Sequence, residues 1–203
     1  MHSLPIPTRP WESIVMDFIG PFPESSDCDY LWVVICRLTS MVHLVPIRTT
    51  TTASELARLY VCEIVRLHGL ARTIVLDRDS KFTSKFWRET HRLLGTKLLM
   101  STSFHPQIDG ALERAIRSVA QILQAMVRPD QQDWPDKIPM VEFALNSAIS
   151  SLSGFAPFEL NCGYTPSVNL GIMPELRAIP GVRHFVERTL QNLTDAHNAI
   201  IES

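Results

Sequence analysis

RTIVLDRDSKFTSKFWRETHRLLGTKLLMS, residues 72–101, decides the fold, because it reads as a strand (RTIVL), a helix (SKFWRETHRLLG) and a second strand (TKLLMS) in succession. Strand–helix alternation of this kind builds a sheet through crossover helices. Upstream the pattern changes. SIVMDFIG (13–20), YLWVVICRL (30–38) and MVHLVPI (41–47) are strand-like apolar runs, and a hairpin through Thr39 and Ser40 joins the last two. TTTASELARLYVCEIVRLHG (50–69) predicts an amphipathic helix capped by Thr or Ser and stopped by Gly69. Downstream, a helix from about Gly110 to Val127 ends before Pro129. A further helix occupies DWPDKIPMVEFALNSAIS (133–150) with Asp133 as its cap, and PFELNCG (157–163) forms a short one. The sum is an α/β fold: a mixed five-stranded sheet, its first three strands antiparallel, flanked by helices.

Three segments follow from this reading. Residues 1–10, with Pro5, Pro7 and Pro10, form an extended lead-in; residues 11–166 form the core. Residues 167–203 are irregular to about Gly181 and then helical, leading toward a further domain. The apolar stripe of that last helix, with Phe185, Val186, Leu190, Leu193 and Ile200, suits docking or self-association better than chemistry.

With 203 residues, 45% of them apolar and 20% charged, the chain can bury one sizeable core. No apolar stretch reaches the roughly 18 residues of a membrane helix, and the first residues lack a signal-peptide layout. A soluble, intracellular protein with no membrane partner is expected. Cys28, Cys36, Cys62 and Cys162 lack paired metal-ligand spacing and read as free thiols. A formal charge of −2 counts against tight autonomous binding to a polyanion.

Three acids carry the chemistry. Asp17 lies inside the first strand, Asp77 directly follows RTIVL, and Glu113 lies in GALERAIRSVAQILQAMV; residues 78–112, thirty-five positions, separate the last two. Asp17, among Val15, Met16, Phe18 and Ile19, is costly to bury charged without compensation. Converging carboxylates are hard oxygen ligands suited to Mg²⁺ or Mn²⁺, and a pair of such ions relieves charge during phosphodiester transfer. Singly, each acid has a plainer reading: a solvated strand face for Asp17, a strand-end turn for Asp77, a dipole-favoured early-helix position for Glu113.

RPWESIVMDFIGPFP (9–23), RLHGLARTIVLDRDSKFTSKFW (66–87), STSFHPQIDGALER (101–114) and DWPDKIPMVEFALNSAISSLSGFAPFELNCGYTP (133–166) resemble the integrase catalytic core of gypsy-class long-terminal-repeat retrotransposons. The resemblance implies a ribonuclease H-like fold and an acidic triad of Asp17, Asp77 and Glu113 holding two Mg²⁺ or Mn²⁺ ions. It also implies DNA integration in the nucleus, by end processing of element DNA and strand transfer into target DNA, and a homodimer or higher oligomer. His105 and Gln107 match the family's approach to the third acid. Gln107 could touch DNA or merely tie down backbone. Lys81, Lys85 and Arg88, and likewise Arg114 and Arg117, are candidate phosphate contacts, for which a solvated helix face is the plainer reading.

Departures from the family pattern keep a second reading open. Ile116, one helical turn from Glu113, replaces the usual asparagine, Ala111 and Leu112 replace polar residues, and Asp79 stands where glycine is common. Cys36 replaces an aspartate outside the triad. These changes and the near-neutral charge suit a decayed or repurposed integrase fold acting as a non-catalytic module that binds nucleic acid or protein. A ribonuclease H cutting RNA in hybrids is a third possibility. His43, His68 and His91 show no ligand-like spacing and receive no role.

Overall fold

The apolar alternation of SIVMDFI becomes the central strand. In the computed structural model, which describes residues 5–76, 80–100, 106–151 and 153–166 together with Arg188, Gln191, Thr194, Asp195 and Asn198, β1 (Ser13–Ile19) lies between two differently oriented neighbours. It pairs antiparallel with β2 (Tyr30–Cys36), which pairs antiparallel with β3 (Val42–Ile47). On its other side it pairs parallel with β4 (Thr73–Leu76), which pairs parallel with β5 (Lys97–Met100). The order β3-β2-β1-β4-β5 is the expected mixed five-stranded sheet.

Register fixes which side chains share a face. Met16 pairs with Leu76 and with Val34, so Ile14, Met16 and Phe18 align with Ile74, Leu76, Trp32 and Val34. Ile14, Met16, Trp32, Val34, Ile74 and Leu76 are fully buried. The opposite face carries Val15 and Asp17, with Val15, Val75 and Leu99 packed together. Pro46 is confined to β3, an outer strand.

Helices follow the strands. Thr52 caps α1 (Ala53–Leu59) in a reciprocal box: its hydroxyl accepts from the Glu55 N–H at 3.3 Å, and its own N–H donates to Glu55 Oε2 at 2.8 Å. The single helix expected to Gly69 instead widens into a π turn at Tyr60–Val65 before α2 (Arg66–His68), and Gly69 closes it with φ of 77°. Buried Leu56, Tyr60 and Ile64 recur every fourth residue through this change. The second expected helix also divides, into α3 (Ser80–Thr83) and α4 (Lys85–Leu93), because Ser84 leaves helical geometry to cap α4, accepting from the Trp87 N–H at 3.2 Å.

An aromatic chain links these helices to the sheet. Phe18 stacks on Phe82 at 4.6 Å, Phe82 meets Trp87 at 5.7 Å, Trp87 meets His91 at 4.4 Å and His91 meets Tyr60 at 5.1 Å. Trp87 and His91, one turn apart on α4, are completely buried.

The chain divides into two compact units, Met1–Ile116 and Arg117–Ser203, and the division falls within α5 (Pro106–Met126). That helix begins earlier than expected, at a proline whose missing N–H is harmless in a first helical turn. In the second unit, α6 (Trp134–Ser147) buries Trp134, Ile138 and Val141 and packs with α7 (Pro157–Cys162), where Phe143 meets Phe158 at 5.6 Å. Asp133 stands at the start of α6 but its side chain makes no capping bond; it accepts from the Arg128 N–H at 3.0 Å and pairs with Lys137 at 3.8 Å. The apolar stripe expected around Phe185 to Ile200 lies outside the described residues. Among those described, no helix is long and apolar enough to cross a membrane.

Candidate active site

β1, β4 and β5 run parallel, so their C-terminal ends emerge at one edge of the sheet. In open α/β sheets, that is where ligands bind. Asp17 stands near this end of β1, opposite Val33 of β2, half-buried at the end of the row begun by Val15. Its Oδ1 accepts a hydrogen bond from the Phe18 N–H at 2.8 Å, which fixes one carboxylate oxygen. Phe18 itself is clamped on the other face, by Phe82 at 4.6 Å and by Tyr30 at 6.2 Å.

The turn that follows demands glycine. Gly20 has φ of 147°, and a Cβ placed there would lie 2.6 Å from Tyr30 Cδ2. Tyr30 therefore presses directly on the chain leaving the strand of Asp17.

Glu113 is exposed on α5 and belongs to the same compact unit as Asp17. Arg114 and Arg117 are exposed on the same helix, with Ile116 half-buried between them. Lys85 and Arg88 are exposed on α4. Asp77, Asp79 and His105 lie outside the described residues, as do the side chains of Lys81, Gln107, Ala111 and Leu112. Leu76, the residue before Asp77 in the chain, is the register partner of Met16, the residue before Asp17. Among the described residues, no three His, Cys, Asp or Glu side chains form a metal-ligating group.

No protein-family model matches the chain. The Transposon Tf2-3 polyprotein of Schizosaccharomyces pombe is 33% identical to it over 169 residues, which cover 83% of this chain and 13% of that polyprotein. The chain is homologous to the Tf2 retrotransposon polyproteins. It spans only that 13% of the relative's length. Among solved structures, the catalytic core domain of BIV integrase superposes with a TM-score of 0.58 at 18% identity, covering 75% of this chain and 95% of that one. The HTLV-2 integrase catalytic core domain in complex with magnesium gives 0.57 at 16% identity, covering 76% and 98%. At these identities the likeness establishes the fold, which is that of an integrase catalytic core, ribonuclease H-like as expected.

This retrotransposon-polyprotein homologue also assembles a group that its sequence does not announce. His43 Nε2 and His68 Nε2 lie 2.8 Å apart, and the Trp11 ring stacks on His68 at 3.8 Å and on His43 at 5.1 Å. Burial, and secondarily the neighbouring His43, pushes the His68 pKa down to about 4. No spacing could have signalled this trio. His43 reaches it through its pairing with Val34 on the sheet, and His68 through the last helical residue before Gly69.

Proposed function

We propose that the chain is the catalytic core of a retrotransposon integrase, a metal-dependent polynucleotidyl transferase in which Asp17, Asp77 and Glu113 hold two divalent ions. The observation that carries this reading is Asp17: a half-buried carboxylate near the C-terminal end of β1, next to the strand whose last residue precedes Asp77. Homology to the Tf2 polyproteins and the integrase-core fold support it.

The donors fit Mg²⁺ or Mn²⁺, since Asp17 and Glu113 offer hard carboxylate oxygens and one oxygen of Asp17 is already oriented by the Phe18 N–H. Bound divalent ions supply charge relief at the phosphorus and a more acidic attacking oxygen. The residues do the rest: Phe82 and Tyr30 hold Phe18, and through it the backbone that aims Asp17. Lys85, Arg114 and Arg117, all exposed, are proposed to contact phosphates, as are Lys81, His105 and Gln107. The reaction would be end processing of element DNA and its transfer into target DNA, in the nucleus, by a dimer or larger assembly.

A purified chain given Mn²⁺ and a branched DNA mimicking the joined product should carry out the reversed joining reaction, and Asp17→Asn should abolish it. Equal activity in the two proteins would refute catalysis by these acids. Half-buried Ile116, one turn from Glu113, favours the second reading, a non-catalytic binding module. On that reading both proteins bind DNA alike and neither joins it.

A further inference from the structure

The end of β1 remote from Asp17 borders a cavity of about 470 Å³, lined among others by Arg9, Trp11, Glu12, His68, Leu70 and Arg72. That volume falls within the range of ligand pockets. Five strand steps of about 3.3 Å separate Glu12 from Asp17, roughly 16 Å, so the cavity can be occupied without covering Asp17.

One wall is braced by stacking and hydrogen bonds. Trp11 is buried and stacked on His68 at 3.8 Å. Glu12 Oε2 accepts from the Thr8 N–H at 2.8 Å and from the Thr8 hydroxyl at 3.0 Å, while Oε1 accepts from Arg72 Nη1 at 3.0 Å. The backbones are locked as well: the N–H groups of Arg72 and Thr73 both donate to the Glu12 carbonyl, and the Lys97 N–H donates to the Arg72 carbonyl at 2.8 Å. The Arg72 guanidinium therefore starts from a pairing with Glu12 on an ordered backbone.

The charge is positive but small. Glu12 balances Arg72, whose side chain is still 81% exposed, and Arg9 is exposed with no ion pair among the described residues. Burial keeps His68 neutral at ordinary pH. A nucleic-acid backbone gains affinity by engaging many cations at once, and this cavity offers too few. Leu70, 47% exposed, supplies an apolar wall beside the two guanidiniums. An acidic side chain next to an apolar one matches both features.

We propose that this cavity docks an acidic peptide segment of a partner protein, with an Asp or Glu carboxylate against Arg9 and Arg72 and a neighbouring apolar side chain against Leu70. The probe is a fluorescein-labelled hexapeptide of alternating Leu and Asp, followed by anisotropy on the whole chain. A Leu–Lys peptide of equal length and a labelled hexathymidylate serve as parallel ligands. Saturable binding of the acidic peptide, weakened at least about tenfold by Arg9→Glu and several-fold by Leu70→Ser, is expected. Both replaced residues are exposed, and thermal melts verify that the variants fold. The Arg9→Glu protein should keep the joining activity of the unaltered chain, which separates this proposal from the catalytic one. Absence of saturation up to about 1 mM peptide, equal binding by the unaltered and Arg9→Glu proteins, or tighter binding of hexathymidylate than of the acidic peptide would each overturn it.

Discussion

Met16 on β1 and Leu76 on β4 are register partners, so the two strands reach the same edge of the sheet side by side, one residue before Asp17 on one and before Asp77 on the other. If the acids share metal ions, the folded state gains stability from them in proportion to occupancy. At a hundredfold excess over the dissociation constant this amounts to about 2.7 kcal/mol, or a rise in Tm on the order of 5 °C for a chain of this size. Differential scanning fluorimetry with Mn²⁺ should show that rise in the unaltered protein and none in Asp17→Asn. A rise of equal size in both would remove Asp17 from the metal site.

Gly20 sits under the Tyr30 ring with φ of 147°. Gly20→Ala combines an unfavourable backbone with a Cβ 2.6 Å from Tyr30 Cδ2, and should destabilise the protein by about 1–3 kcal/mol in urea denaturation. Adding Tyr30→Leu should recover the part due to the ring and leave the backbone part. If Gly20→Ala costs as much in the Tyr30→Leu protein as in the unaltered one, the contact is not the cause.

His91 is completely buried between Trp87 and Tyr60, and desolvation pushes its pKa down to about 4. At pH above about 6.5 the group is neutral in both folded and unfolded chains and its ionisation contributes nothing. Below that value the unfolded chain takes up the proton first, so stability falls with pH until about pH 4, where the folded group titrates too. The carboxyl of Glu12 is held down to about 2, chiefly by the Thr8 N–H and then by Arg72, so its loss of stability sets in at lower pH. Between pH 6.5 and 4.5 His91 should therefore cost on the order of 2–3 kcal/mol, and His91→Leu should make that part of the denaturation profile shallower, leaving the share of His68, whose pKa is likewise pushed down to about 4.

Ile116 is half-buried one turn after the exposed Glu113. Ile116→Asn introduces a group able to donate to a phosphate at that position and, on the proposed catalytic reading, should raise DNA joining a few-fold, with a stability change within about 1 kcal/mol. Unaltered joining would show that this face of α5 does not meet the substrate.

Much of this fold was legible because local signals agreed with the packing that followed. The alternation in SIVMDFI, the cap at Thr52 and the stop at Gly69 each mark an element where the structure has one. The π turn at Tyr60–Val65 was not legible, because the every-fourth-residue burial of Leu56, Tyr60 and Ile64 reads the same in an uninterrupted α-helix. Asp133 misled for another reason: a capping residue type occupied a capping position, but Arg128 and Lys137 took its oxygens. Asp17 was recognisable as a charge set in an apolar strand. The His43, His68 and Trp11 cluster was not, since each arrives from a separate element and its only signature is three-dimensional.

Pro46 has a last implication for how copies of this protein can meet. The Cys36 N–H donates to the Met41 carbonyl at 2.9 Å, which sets the phase of the ladder: Val34 with His43, Trp32 with Val45 and Tyr30 with Ile47 share hydrogen-bonded pairs, whereas Leu31 with Pro46 does not. The amide that proline lacks would thus have pointed away from β2, toward the sheet's free margin. An approaching strand would meet a gap in the donor row, so fibrous stacking along β3 is disfavoured and a strand-to-strand contact between copies would have to use the other outer strand, β5.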